Sequence, residues 1–213
     1  MGRKMLDIQP YRESCRLQTA ALIYAAFDDK FQRQCGLGAR QQWRLFYWLW
    51  SWNQSNSQEH SFVVRRAGKV VAAFGLKSAG RLGNCALRAR PLPILGLCRR
   101  YGMLNFWRMY LQIAFLQHAP AAGELYLSHL AVDEKLRGKG VGKMLIEWIT
   151  DYAAAQQPNR WLRLHVSQQN IGARRLYQQC GFNIGRRERH VSLWWLFRQA
   201  NWLLMEKRIG EMR

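Results

Sequence analysis

The residues Asp133-Glu-Lys-Leu-Arg-Gly-Lys-Gly-Val-Gly142, with Lys143 after them, set three glycines among the cations Arg137, Lys139 and Lys143. Glycine lets a backbone approach a ligand with no Cβ in the way. If a helix begins here, its first N–H groups lack intrahelical partners and its end carries partial positive charge. Together these suit a pyrophosphate. Two other phosphate cradles do not fit. A P-loop needs Gly-Lys-Ser/Thr, and Gly142-Lys143 is followed by Met144. A dinucleotide fingerprint needs Gly-x-Gly-x-x-Gly, whereas Gly138, Gly140 and Gly142 recur at every second residue, with Val141 between the last two. The glycines alone fit an ordinary tight turn equally well. Downstream, His165 offers an imidazole near pKa ~6.5, suited to take a proton at neutral pH, and Tyr177 a phenol near ~10 that still holds one.

These residues need elements to position them. Leu125 to Val132 reads as a strand of ordinary length. After the glycines, Val141, Met144, Leu145, Trp148, Ile149 and Tyr152 recur at helical spacing, with Lys143, Glu147, Thr150 and Asp151 on the other face. Trp161 to Ser167 alternates as a strand, and Asn170 to Phe182 reads as a short helix stopped by Gly181.

Here the chain resembles the GNAT superfamily of N-acetyltransferases. Arg137-x-x-Gly140-x-Gly142 is similar to its coenzyme A loop, and Asn170-x-x-Ala173-x-x-Leu176-Tyr177-x-x-x-Gly181-Phe182 to its second motif. Both motifs occur in the right order with the right strands between them. The resemblance implies an α/β (α+β) fold: a mixed, mostly antiparallel central sheet flanked by helices, with a splayed coenzyme A cleft. It implies an acyl-CoA N-acyltransferase that moves an acetyl group directly from acetyl-CoA to a primary amine, with no metal. It assigns coenzyme binding to the backbone of Leu130, Ala131 and Val132, to Arg137, Gly138, Lys139, Gly140, Val141, Gly142 and Lys143, and to Asn170 and Tyr177. Tyr177 takes the place of the general acid. His165 stands where ribosomal-protein alanine acetyltransferases carry a glutamate base; a strand histidine bonded within the core is the plain alternative. His129 and a water chain are further candidates for the base.

At 213 residues the chain is long enough to bury a core, and 1–213 is expected to form one domain with an insertion at about 78–123. Five scattered cysteines, none spaced Cys-x-x-Cys, argue against a disulfide framework or zinc site and fit a reducing cytoplasm. No signal peptide is visible at the N-terminus. The net charge is +20, and Ser61 to Gly123 contains no Asp or Glu. Such a balance attracts anions: coenzyme phosphates, acidic substrates, nucleic acid or anionic lipid headgroups. A solvated basic face serving solubility is the alternative.

Helices are expected at about Glu13 to Phe31, Ala39 to Trp52 and Tyr101 to Gln117. A first strand is expected at Met5 to Gln9, a hairpin at Ser61 to Leu76, a break at Pro91, Pro93 and Gly96, closing strands at Asn183 to Val191 and Trp202 to Ile209, and an aromatic turn or helix at Ser192 to Phe197 between them. Ala39 to Trp52 has almost no polar face, which favours burial over a membrane or partner surface. Tyr101 to Gln117 reads as a substrate lid, a homodimer surface or an interfacial helix. Tryptophans at 43–52 and 194–202 beside the basic middle raise a peripheral membrane enzyme or binder. A nucleic-acid binder is a weaker alternative, since no motif accompanies the charge. A coenzyme-binding shell without turnover is another, opposed by intact Tyr177 and Asn170. The acceptor, whether a protein N-terminus, a lysine or a small amine, is not legible; the charge disfavours a polycation.

Overall fold

The computed structural model describes residues 7–27, 36–57, 59–79, 91–115, 119–156, 161–189 and 201–210. The strands are β1 (Asp7–Pro10), β2 (His60–Arg66), β3 (Lys69–Ser78), β4 (Glu124–Val132), β5 (Trp161–Ser167), β6 (Asn183–Arg189) and β7 (Asn201–Arg208). The helices are α1 (Arg16–Ala26), α2 (Ala39–Asn56), α3 (Ile94–Tyr101), α4 (Met103–Phe115), α5 (Val141–Gln156) and α6 (Ile171–Gln179). The strands form one sheet in the order β1-β2-β3-β4-β5-β7-β6. β4 and β5 run parallel, while β1/β2, β5/β7 and β6/β7 are antiparallel. The mixed, mostly antiparallel sheet with flanking helices is thus present.

The chain gathers into two compact units, Met1–Gly75, Gly83–Gln117 and His129–Asp133 in the first, Leu76–Leu82, His118–Ser128 and Glu134–Arg213 in the second. In the first, α2 buries Leu45, Phe46, Leu49 and Trp50 with Ile23, Val63, Phe106 and Met109. Tyr24 meets Phe46 at 5.1 Å between ring centres and Trp43 at 5.3 Å. Each such side chain contributes roughly 1.5–3 kcal/mol when removed from water. The aromatic-rich α2 is therefore core, and only Trp48 of its large apolar residues is mainly exposed.

The helix expected from Tyr101 is α4, and a helix that was not expected, α3, precedes it and ends at Tyr101. Gly102 sits at φ +84°, its N–H reaches the Cys98 carbonyl, and Asn105 Nδ2 donates to the Tyr101 carbonyl at 3.0 Å. A left-handed residue ends one helix and the next begins at Met103. Nor do Pro91, Pro93 and Gly96 keep this stretch irregular. α3 starts directly after Pro93 and contains Gly96, because a proline at a helix start lacks only an N–H that would be orphaned there. Ser192 to Phe197, expected as an aromatic turn or helix, lies outside the described residues.

In the second unit, Leu145 and Ile149 of the expected α5 face are buried, together with Ile146 and Ala153, while Val141, Met144, Trp148 and Tyr152 are half-buried. Leu162, Leu164 and Val166 are buried on β5, and Leu203 and Met205 on β7. The β4–β5 ladder runs from Glu124↔Trp161 to Leu127↔Leu164; β4 continues to Val132 and β5 to Ser167.

Candidate active site

The second unit carries the glycine loop. Between β4 and α5 the chain makes a 3-10 turn at Glu134–Leu136, then places Gly138 at φ +73° and Gly140 at φ +80°. Only glycine adopts such angles without strain. A Cβ added at either would meet nothing within 4 Å, so the loop's outer surface is open. Gly142 has a different reason to be glycine. A Cβ there would lie 2.9 Å from Leu176 Cδ2, so it lets α6 pack against the start of α5. The α5 ladder begins with the Met144 N–H on the Gly140 carbonyl at 3.1 Å. The N–H groups of Val141, Gly142 and Lys143 precede it, where helices bind anions. Arg137 and Lys139 are exposed beside them, and Lys143 Nζ lies 3.9 Å from Glu147 one turn on.

Asn170 is the N-cap of α6: its Oδ1 accepts from the Ala173 N–H at 3.1 Å. That commits the amide oxygen to the fold and leaves the NH₂ end as the part that a ligand would meet. Tyr177 is buried, its ring tilted against Phe182 at 5.7 Å. Burial, with a smaller contribution from Cys180, raises its pKa to about 12. The phenol therefore stays protonated throughout the neutral range.

His165 on β5 is half-buried and held from two sides. Its Nδ1 lies 2.8 Å from the Tyr126 hydroxyl on β4, and its Nε2 3.4 Å from Glu188 Oε2 on β6. Burial pushes the Tyr126 phenol well above the ordinary tyrosine range, so it keeps its proton. Tyr126 then donates to Nδ1, and the ring proton of a neutral His165 sits at Nε2 facing the carboxylate. On the same face of β5, Arg163 Nε donates to Glu206 at 3.0 Å, and its Nη1 lies 3.5 Å from Glu124. In the first unit, His129 Nδ1 lies 3.3 Å from the largely buried Glu59. His129 is thus tied to a carboxylate of its own.

The second unit contains the glycine loop, Asn170, Tyr177 and His165. Leu130, Ala131 and Val132 occupy the far end of β4 and belong to the first unit. Tyr126, Glu188 and Arg163 escaped the sequence reading. Their partners lie 39, 23 and 43 residues away for Tyr126–His165, His165–Glu188 and Arg163–Glu206, and no local spacing announces them.

Comparison with known proteins bears on the same region. The acetyltransferase (GNAT) family model matches residues 23–182. A stretch of 60 residues, 28% of this chain, is 33% identical to a spermine/spermidine N(1)-acetyltransferase of Bacillus subtilis; the match spans 40% of that relative's length. Among solved structures, the ribosomal-protein-S18-alanine N-acetyltransferase of Escherichia coli has a TM-score of 0.54 at 15% identity, over 98% of this chain and 97% of that one. A GNAT-family acetyltransferase of Streptococcus pneumoniae has a TM-score of 0.55 at 17% identity, over 97% and 100%. Those two likenesses concern the fold alone. With its family match extending from α1 through α6, this chain belongs to the acetyltransferase (GNAT) family.

Proposed function

We propose that this protein transfers an acetyl group from acetyl-CoA to a primary amine. The observation that carries the reading is the packing of α6 on α5. Leu176 seats against Gly142, so Tyr177 is held in one unit with an open, cationic loop at a helix N-terminus. The residues suit the coenzyme. Gly138 and Gly140 leave room for a diphosphate, the N–H groups of Val141 to Lys143 point to it, and Arg137 and Lys139 supply charge.

In the reaction the amine nitrogen attacks the thioester carbon, the N–C bond forms and the C–S bond breaks. The sulfur leaves as a thiolate, and the ammonium gives up one proton. Tyr177 donates a hydrogen bond to the departing sulfur. With its pKa at about 12, above the ~8.5 of a thiol, full proton transfer is uphill. Its role is therefore to stabilise the thiolate as charge appears, with solvent completing the protonation.

The ammonium proton goes to His165 through Tyr126. The phenol oxygen accepts it while the phenol's own proton moves to Nδ1, and the imidazolium formed faces Glu188. The acceptor is an amine of unassigned identity. The named relatives act on spermine or spermidine and on a ribosomal protein. The net charge of +20 opposes a polycation, unless carboxylates at the site offset it. A panel of amines with acetyl-CoA, read by free thiol release, tests the reading. Thiol release that depends on an amine supports it. Absence of heat from acetyl-CoA in calorimetry on folded protein would remove it.

A further inference from the structure

α3 and α4 bury one side in the first unit and present the other to solvent. Leu97, Tyr101, Phe106 and Met109 are core residues. On the opposite side Ile94, Leu95, Met103, Leu104, Trp107 and Leu111 are each between 41% and 68% exposed. In α4 the exposed four follow i, i+1, i+4 and i+8, one stripe of the helix. Soluble surfaces rarely gather large apolar side chains this way unless they meet something. Arg99 and Arg100 are exposed at the end of α3. The surrounding run from Ser61 to Gly123 holds ten Lys and Arg and no acidic residue.

We propose that this face docks on an anionic lipid bilayer, with the apolar stripe entering the acyl boundary and the arginines meeting headgroup phosphates. Charge decides between occupants. A second copy docked two-fold on this face would bring two cationic, carboxylate-free segments together, with no opposite charge in either to offset Arg99 and Arg100. A bilayer carrying anionic lipid offers phosphates to the arginines and hydrocarbon to the stripe. The docking is interfacial, since no helix among the described residues is long and apolar enough to cross a membrane. The surface is not the tryptophan-rich α2, whose Leu45, Phe46, Leu49 and Trp50 are buried. The inference is independent of the acetyl-transfer reading.

The test is flotation of the full chain with vesicles of phosphatidylcholine alone and of phosphatidylcholine mixed with phosphatidylglycerol. Binding to the mixed vesicles is expected to exceed binding to neutral ones by ~10-fold or more, and to weaken with salt. L104E/W107E and R99E/R100E, both on exposed positions, should each lose at least ~10-fold in binding while melting like the parent chain. No flotation with the anionic vesicles overturns the proposal, as does flotation that both variants retain. A dimer in sedimentation that L104E/W107E dissociates also overturns it, because the face is then a subunit interface. Acetyl-CoA calorimetry on the same samples reports separately on the glycine loop.

Discussion

The two units hold their key residues by different means. In the first, α2 and α4 are fixed by area: Phe46, Leu49, Trp50, Phe106 and Met109 share one buried cluster. In the second, the residues of the candidate site are fixed by direction. Gly138 and Gly140 bend the backbone, Asn170 caps α6, and Tyr126 and Glu188 aim His165. Apolar burial is non-directional and sets how stable a unit is, whereas hydrogen bonds and φ angles set where a reacting group points. Substitutions in the first unit should therefore act on stability, and those in the second on turnover.

The largest expected effect breaks the first unit. Phe106→Ala empties a fully buried site and should cost about 3–5 kcal/mol of unfolding free energy. Its neighbour Trp107→Ala, half out in water, should cost less than ~1 kcal/mol. Chemical denaturation of both variants checks the contrast, and equal losses would mean the two faces of α4 are not distinct. In the second unit, Tyr177→Phe should lower kcat on the order of 100-fold with little change in acetyl-CoA affinity. Unchanged turnover would remove Tyr177 from the chemistry.

Gly140→Ala forces a side chain to a left-handed φ, at about 1–2 kcal/mol, and should weaken acetyl-CoA binding by roughly 10-fold in calorimetry. Gly142→Ala meets only the end of the Leu176 side chain, which can turn aside, so its effect should be smaller. Glu188→Gln should reduce kcat by about 10-fold and leave KM for acetyl-CoA nearly constant. A change confined to KM would show that Glu188 helps bind rather than orient.

The smallest effect is on pH. The folded Tyr177, at about 12, lies above the ~10 of an unfolded tyrosine. The unfolded state loses this proton first, so stability from this group is complete below about pH 10 and is lost as pH rises toward 12. Melting temperatures between pH 9 and about 11 should fall less steeply for Tyr177→Phe than for the parent chain.

What the amino-acid order determined by itself is the local geometry around the glycines. Short-range steric rules suffice to call β4, the turn, α5, β5 and α6, and the strand at Trp161 to Ser167 matches its expected bounds. Helical spacing also placed Leu145 and Ile149 of α5 in the core and Lys143, Glu147 and Asp151 in solvent, but not Ile146 and Ala153. The boundary near Tyr101 was expected, and Gly102 makes it with a left-handed φ, but α3 before it was not, because Pro93 and Gly96 read as breakers while Pro93 stands at the start of that helix. Tertiary structure alone decided that Gly142 serves packing, that His165 sits between a phenol and a carboxylate, and that burial lifts the Tyr177 pKa. Each depends on atoms brought together from distant parts of the chain, and neither spacing nor composition carries that information.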